Sequence, residues 1–453
     1  MGTITLKQAA QWCGGFVEPK YEQVTFRGAN MDTRKLKAGQ LFIAIKGARD
    51  GHDFIPTAMG SGAAAVLCSR SVGDYPAIIV EDPRKALGDI AREERRRIGM
   101  KVVGVTGSVG KSTTKEMIAA VLGGTYRVSK TPANHNNDLG MPMAILDMPE
   151  DTQVAVLEMG MNHLREIAYL ASIALPDLAV ITNIGTMHIE HLGSQEGILQ
   201  AKLEILEGMT RGGKVLLNGD DSLLWNIRRR EDMAVTYFGI QNPDCDYRAL
   251  EVKEEPGKLS FRAVSHDTSQ PVELSLEGIH YVIDAMSAIG VGMELQVEPS
   301  EIAQRLADFR NMEGRQEIFT AKECTIIKDC YNAGPESMAA ALAVLGNKPG
   351  RHVAILGDML ELGVCAPAEH YRLGRLAAEK ADMLLAFGPF SDRTVSGAIT
   401  GGMPQHLARN FDDRDAMVAA MQRMIKPGDV ILVKGSRGMK MELVLDRFLR
   451  DKT

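Results

Sequence analysis

Residues 102–118 read Val-Val-Gly-Val-Thr-Gly-Ser-Val-Gly-Lys-Ser-Thr-Thr-Lys-Glu-Met-Ile. An apolar run, Lys101–Val105, gives way to a glycine-rich turn, and Lys111 and Ser112 open a helical stretch. Glycines at 107 and 110 let backbone N–H groups curl around phosphate oxygens. The helix N-terminus adds partial positive charge, Lys111 is placed to reach the β- and γ-phosphates, and the Ser112 hydroxyl suits Mg²⁺. The strict pattern G-x-x-x-x-G-K-[ST] fails at one position, because residue 105 is Val. Strand, turn and helix still follow in the required order. The stretch predicts a nucleoside triphosphate site with Mg²⁺.

The remaining chain has to supply the scaffold for that site. At 453 residues it accommodates three domains of roughly 150 residues each. An apolar content of 45% and a charged content of 24% are those of an ordinary globular protein. The net charge of −6 argues against a polyanion-binding surface, so no nucleic-acid partner is expected. The basic runs Arg95–Arg97, after Glu93 and Glu94, and Arg228–Arg230, before Glu231 and Asp232, read as solvated helix faces. Six scattered cysteines lack any CxxC pair and suit a reducing compartment. The N-terminal residues show no basic segment followed by an apolar core, and no run reaches membrane-spanning length. A cytoplasmic protein with no membrane span is expected.

The expected fold class is α/β in three domains, spanning 1–82, 83–312 and 313–453. The first is a small α/β unit with short strands at Gln40–Ile45, Ala63–Cys68 and Ala77–Val80. A charged amphipathic helix, Lys85–Ile98, leads into the phosphate-loop strand. The central domain then alternates strands (Gln153–Leu157, Leu178–Thr182, Lys214–Leu217) with helices (Leu164–Ala174, Glu196–Glu207), as a parallel sheet covered by helices requires. Residues 233–276 are β-rich and read as an antiparallel addition. Helices Tyr281–Met293 and Ser300–Phe309 close the domain. The alternation restarts after Gly314 as a Rossmann-like unit, with strands Thr325–Asp329, His352–Leu356, Met383–Ala386 and Asp429–Val433.

Strand ends beside a phosphate loop deliver metal ligands and catalytic groups, and three residues sit at or near such positions. Glu158 follows Val154–Leu157. A lone Glu after a strand is usually just a polar loop residue, but this strand end is where Mg²⁺ needs a carboxylate. His188 lies six residues past 178–182, in a loop where a histidine is more often a surface residue than a ligand. Lys202 falls on a helix among apolar neighbours, as a snorkelling lysine does.

Taken together, these residues resemble the Mur ligase family, the ATP-dependent amide-forming enzymes of peptidoglycan assembly. The resemblance implies a UDP-substrate domain, a central ATPase and a Rossmann-like C-terminal domain. The family's loop is the short form T-G-[ST]-x-G-K-[ST], here Thr106, Gly107, Ser108, Val109, Gly110, Lys111, Ser112 and Thr113. Its strand-end Glu matches Glu158, and its N-x-x-x-x-H element matches Asn183 and His188. Its helix lysine, carbamylated by CO₂ into an anionic metal ligand, matches Lys202. The implied metal set is Ser112, Glu158, His188 and Lys202. Lys111, Glu158, His188, Lys202 and Arg315 are the implied catalytic residues, with Arg315, Asp329 and Asn332 approaching ATP from the third domain.

Further motifs narrow the resemblance. Asp329-Cys-Tyr-Asn-Ala-Gly-Pro-Glu-Ser-Met338 looks like D-x-Y-N-A-N-P-x-S-M of one family member. Leu356–Gly363, Val433–Glu442 and Asn134–Pro142 match the same member. Its substrates would be UDP-N-acetylmuramoyl-tripeptide and D-alanyl-D-alanine, joined through an acyl phosphate by a monomer. Asp32, Thr33 and Arg34 resemble D-[ST]-R, and Lys46 with Asp50, Gly51, His52 and Asp53 resembles the D-G-H-x-F region. Together with Asn134, Asn136 and Asn137 they are the implied UDP-substrate contacts. Lys434, Ser436 and Arg437 are candidates for the dipeptide carboxylate, which a guanidinium grips bidentately. Three positions depart from the family: Gly334 replaces Asn, and Tyr281 and Asp284 replace the two asparagines of G-x-H-N-x-x-N. Two rival readings are a folylpolyglutamate synthase and a regulatory protein that has lost ligase activity. The first-domain elements argue against the former, and the complete phosphate and metal set against the latter.

Overall fold

A computed structural model describes residues 3–229 and 234–450. Part of the 228–232 charged run therefore lies outside the described residues. A four-stranded parallel sheet, ordered Ala29–Asn30, Leu41–Ile43, Ala65–Cys68, Ala77–Ile79, forms the N-terminal unit beside a short antiparallel pair. Nine strands form the central sheet. Lys101–Thr106 lies inside it, flanked by Leu178–Ile181 and Val154–Glu158, both parallel to it. In this register Glu158 pairs with Val105 and Ile181 with Thr106, so both neighbouring strands end beside the phosphate turn. These strands are buried on both faces, as helices on each side of a parallel sheet require.

The β-rich stretch divides differently from the sequence expectation. Ala234–Gly239 continues the parallel sheet, and Tyr247–Glu255 still pairs parallel to it over two residues. Antiparallel pairing begins with Tyr247–Glu255 against Lys258–Val264 and then Ser269–Leu274. The expected helix over Glu196–Glu207 is an α-helix, Gln195–Leu203, that tightens into a 3₁₀ turn, Glu204–Gly208. The C-terminal sheet runs Glu317–Ala321, Cys324–Asp329, Val430–Lys434, His352–Gly357, Met383–Phe387, Ala408–Phe411, parallel except for its first pair. Among the described residues no helix is long and apolar enough to cross a membrane.

The helix Pro83–Ile98 joins the first two units. Asp82 caps it by accepting from the Arg84 and Lys85 N–H groups, Pro83 presets its first turn, and Gly99 ends it at φ 70°. One apolar cluster passes from Ile4, Leu6 and Phe26 through Leu87 and Ile90 to Ile145, Leu157 and Ile167. Arg95 is not on the solvated face expected for it. Its guanidinium is buried, donating to the Ala174 and Leu175 carbonyls at the end of Glu166–Ala174 and to Asp177 at 2.8 Å. A cation there satisfies the orphan carbonyls of a helix C-terminus. Leu87→Ala removes a fully buried side chain from this shared core. It should cost about 2–5 kcal/mol, read by thermal unfolding as a lowered single transition. A separate early transition of the N-terminal unit would show that the two cores are independent.

Candidate active site

The phosphate turn depends on two glycines with positive φ, Gly107 at 151° and Gly110 at 84°. A side chain at Gly107 would strike Thr182, and one at Gly110 would come 2.5 Å from Asp284 Oδ1. Asn183, at the end of the neighbouring strand, clamps the turn. Its Oδ1 accepts from the Ser108 and Val109 N–H groups (3.2 and 2.9 Å), and its Nδ2 donates to the Val109 carbonyl at 3.1 Å. The helix Lys111–Leu122 follows, and the N–H groups of its first turn have no acceptors within it. Lys111 Nζ folds back onto the carbonyls of Gly107 and Ser108, at 2.7 and 3.1 Å. Burial lowers its pKa, against the opposing pull of Glu158.

Glu158 is buried at the strand end. Its Oε1 accepts from Asn136 Nδ2 at 2.9 Å, while Oε2 is buried without a hydrogen-bond partner. A residue the sequence reading passed over supports it. Lys115, fully buried, donates to the Thr131 carbonyl at 2.8 Å and stands 3.8 Å from Glu158 Oε2. The clue was in the sequence, where a second lysine lies one helical turn beyond Lys111. Lys202 is also fully buried and, among the described residues, has no hydrogen-bond or carboxylate partner. Burial, and then the nearby charge of Lys111, hold its pKa well below the usual lysine range. His188 stands at φ 65° just before Ile189–Leu192. Its Nδ1 lies 2.6 Å from Glu361 Oε2, close enough for an ion pair but without hydrogen-bond alignment. That imidazole holds Glu361 below the usual carboxylate range.

Across the cleft, Arg315 Nη2 donates to Ser112 Oγ at 2.8 Å, and its guanidinium stacks on Tyr331 at 4.1 Å. Glu336 accepts from both the N–H and the hydroxyl of Thr186, at 2.8 and 3.1 Å. This second bridge occupies the variable position of the Y-N-A-N-P-x-S-M motif, so pattern matching gave no sign of it. Lys434 pairs with Asp329 at 2.6 Å and donates to the Asn332 carbonyl at 3.0 Å. Ser436 is buried, donating to the Ala333 carbonyl and accepting from the Leu360 N–H, while Arg437 is exposed and pairs with Glu442. Lys111, Ser112, Glu158, His188, Lys202, Arg315, Asp329, Asn332, Lys434 and Arg437 share the walls of one cleft of about 550 Å³ with Asn134, Asn136 and Asn137. Asn137 Oδ1 also accepts from the Leu139 and Gly140 N–H groups, at 3.3 and 2.8 Å, where the chain enters the helix Gly140–Leu146.

The first-unit candidates do not line this cleft. Asp32 accepts from the Arg34 N–H, Nε and Nη2, which lowers its pKa to about 2, and the Arg34 side chain points into solvent. Asp50 accepts from the His52 N–H and faces its Nδ1 at 2.7 Å, and the Ser69 N–H donates to Nε2. Gly51 passes so near Ile45 that a Cβ would come 2.6 Å from its nitrogen. Thr33 and Asp53 lie on the same two turns, and Lys46 is exposed.

Each departure from the family pattern has a local setting. A side chain at Gly334 would press 2.7 Å from Met187 Cγ, so glycine fits where Met187 fills the space. Tyr281 is buried, and its phenol oxygen accepts from Asn311 at 2.6 Å. Asp284 is buried behind the phosphate turn and accepts from the Thr114 hydroxyl at 3.0 Å.

A three-unit fold with this phosphate turn and these strand-end groups defines an ATP-dependent ligase class, and comparison with known proteins agrees. Family models match in chain order: "Mur ligase family, catalytic domain" at 25–95, "Mur ligase middle domain" at 105–292 and "Mur ligase, glutamate ligase domain" at 314–437. The chain belongs to the Mur ligase family. It is 39% identical to UDP-N-acetylmuramoyl-tripeptide--D-alanyl-D-alanine ligase of Bacillus subtilis, over 97% of each chain. The crystal structure of MurF from Acinetobacter baumannii superposes with a TM-score of 0.92 at 30% identity, covering 100% of both chains. MurF ligase from Thermotoga maritima, solved in complex with ADP, gives 0.83 at 29% identity over 94% of this chain and 97% of that one.

Asp284 gives the site a testable pH signature. Burial pushes its carboxyl from the ordinary 3.8 up to about 7, against the lowering effects of Thr114 and Arg315. The folded state therefore holds this proton more tightly than the unfolded chain. The stability it contributes is complete below about pH 4 and is lost as pH rises through about 7. Asp284→Asn should therefore raise the melting temperature more at about pH 8 than at about pH 5. An equal gain at both values would show that Asp284 does not titrate in this range.

Proposed function

We propose that this chain is the ATP-dependent ligase that joins D-alanyl-D-alanine to UDP-N-acetylmuramoyl-tripeptide. The step would complete the cytoplasmic UDP-linked pentapeptide of peptidoglycan synthesis. The observation that carries the reading is the convergence of Lys111, Glu158, His188 and Lys202 in one cleft facing Arg315. The full-length likeness to a ligase of that name in Bacillus subtilis supports the choice of substrates. We take the enzyme to be a monomer in the cytoplasm.

A carboxylate does not react with an amine at neutral pH, because oxide is too poor a leaving group. In the proposed reaction a substrate carboxylate oxygen attacks the γ-phosphorus of ATP, ADP leaves, and an acyl phosphate forms. The dipeptide amine then attacks the acyl carbon. The tetrahedral intermediate collapses with loss of phosphate, and the amine's proton goes to solvent or a nearby base. No protein nucleophile is needed, so the chain's work is positioning and charge neutralisation. The first-turn N–H groups of Lys111–Leu122 and the Lys111 ammonium would hold the β- and γ-phosphates. Arg315 would cover the transferring group from the other side. Lys434 and Arg437 would receive the dipeptide carboxylate.

Mg²⁺ fits the donors present. Glu158 Oε2 is a buried carboxylate oxygen with no hydrogen-bond partner, and Ser112 offers a hydroxyl in the wall of the same cleft. Among the described residues no three His, Cys, Asp or Glu side chains converge as a metal site. Ser112 and Glu158 would hold one Mg²⁺, His188 and a carbamate on Lys202 a second, and phosphate oxygens would have to complete the coordination. Bound Mg²⁺ supplies charge neutralisation for the phosphates. Lys202 suits carbamylation because a neutral amine attacks CO₂, forming an N–C bond and losing a proton, and burial favours the neutral form of this amine.

Phosphate release from ATP that requires both UDP-muramoyl-tripeptide and D-alanyl-D-alanine tests the assignment. Release independent of either substrate would contradict it. Lys202→Ala should reduce ligation by on the order of a hundredfold or more while leaving ATP binding intact, and added short carboxylates should restore part of the rate. Full activity of that variant in CO₂-depleted buffer would exclude the carbamate. Arg315→Ala should lower turnover far more than affinity for the UDP-substrate. Normal turnover with weakened UDP-substrate binding would reverse that role.

A further inference from the structure

Tyr281 stands where the family pattern places asparagine, and the phosphate and metal chemistry makes no use of it. Its helix, His280–Glu294, belongs to the central unit, and its phenol oxygen reaches the linker that leads to the C-terminal sheet. There Asn311 Nδ2 uses its two hydrogens on two acceptors, Tyr281 Oη at 2.6 Å and the Arg315 carbonyl at 2.6 Å. Asn311 Oδ1 accepts from the Met312 N–H at 3.0 Å, and the Arg315 N–H donates to the Met312 carbonyl at 3.2 Å. Residues 311–315 therefore form a closed loop of hydrogen bonds anchored on one buried phenol. The next residue is also fixed. Gln316, at φ 48°, donates to the Glu277 carbonyl at 2.5 Å and takes Asp329 as acceptor for its N–H.

The loop ends in Arg315, the guanidinium that reaches Ser112 Oγ. We propose that Tyr281, acting through Asn311, is a positioning residue for phosphoryl transfer: it locks the inter-unit linker so that Arg315 is delivered onto the phosphate turn. The proposal rests on the ligase reading for what Arg315 does there, while the lock itself is a property of the linker. A phenol at the tip of a ring spans the gap from helix to linker, whereas an asparagine at 281 would keep its amide close to the helix. The linker joins the two halves of the cleft, so a fixed geometry there removes conformations in which Arg315 misses its target. The Tyr281 ring stays packed against His280, with centroids 4.2 Å apart, when only the hydroxyl is removed.

Tyr281→Phe is therefore the informative variant, made in the full chain. Turnover in the ligation assay should fall about tenfold, with KM for ATP within about twofold of the original. Asn311→Ala should reproduce the effect. In a double-mutant cycle, Tyr281→Phe should add nothing to the loss already caused by Arg315→Ala. Raised KM for ATP with unchanged turnover would overturn the proposal and make Tyr281 a nucleotide contact. A lowered melting temperature with unchanged turnover would overturn it in favour of a merely structural role. Amide hydrogen exchange gives a readout that needs no turnover. In Tyr281→Phe, exchange at Arg315 and at Tyr331, whose N–H donates to the Gly314 carbonyl, should quicken by about tenfold, with amides of Lys111–Leu122 unchanged. Unchanged exchange at both residues would refute the lock. Quickened exchange in a protein that does not ligate these substrates would leave the lock standing and reject the ligase reading instead.

Discussion

Arg315 Nη2 and Ser112 Oγ meet at 2.8 Å, and this contact between residues 203 positions apart joins the two halves of the cleft. Ser112 is fixed by the phosphate turn, which the central sheet holds between two buried strands. Arg315 is fixed by the linker and by the ring of Tyr331. Glu336 on Thr186 and Lys348 on Glu277 hold the same two units together on either side. The cleft exists only while these bridges hold. Each half alone presents an open surface on which a phosphate would remain hydrated.

The charge pattern follows from that enclosure. Lys111, Lys202, Arg315, Lys434 and Arg437 line the cleft together with the carboxylates of Glu158, Glu166, Asp284, Asp329 and Glu336, and Lys115 is buried close to Glu158. In a poorly solvated space charge is disfavoured on any lysine without a partner. Lys115 keeps its company of Glu116 and the Thr131 carbonyl. Among the described residues Lys202 has no such partner, and burial holds its pKa well below the usual lysine range.

Much of this was legible in the sequence because it follows from local rules. The glycines at 107 and 110, the apolar strands and the capped helix Pro83–Ile98 are dictated by backbone conformation and periodicity. The strand ends at Glu158 and Asn183 follow from them. What sequence could not give is contact between elements that lie apart in the chain. Arg95 looks like part of a surface run until the end of Glu166–Ala174 is set against it. Glu336 sits at a position the motif leaves free. Tyr281 and Asp284 register only as mismatches until Asn311 and Thr114 are found opposite them. The small strands Glu317–Ala321 and Ala408–Phe411 and the helix Ser391–Thr400 also escaped notice. They are short, and their half-exposed positions carry little apolar periodicity.

The account turns on a carboxylate that attacks ATP and later surrenders the same oxygen. Substrate carrying heavy oxygen in the reacting carboxylate, incubated with ATP and D-alanyl-D-alanine, tests this directly by mass analysis of the released phosphate. Each phosphate should carry one heavy oxygen, because the atom that attacks phosphorus leaves with it when the amide forms. Phosphate released without heavy oxygen would mean that water, not the substrate carboxylate, attacks ATP in this cleft.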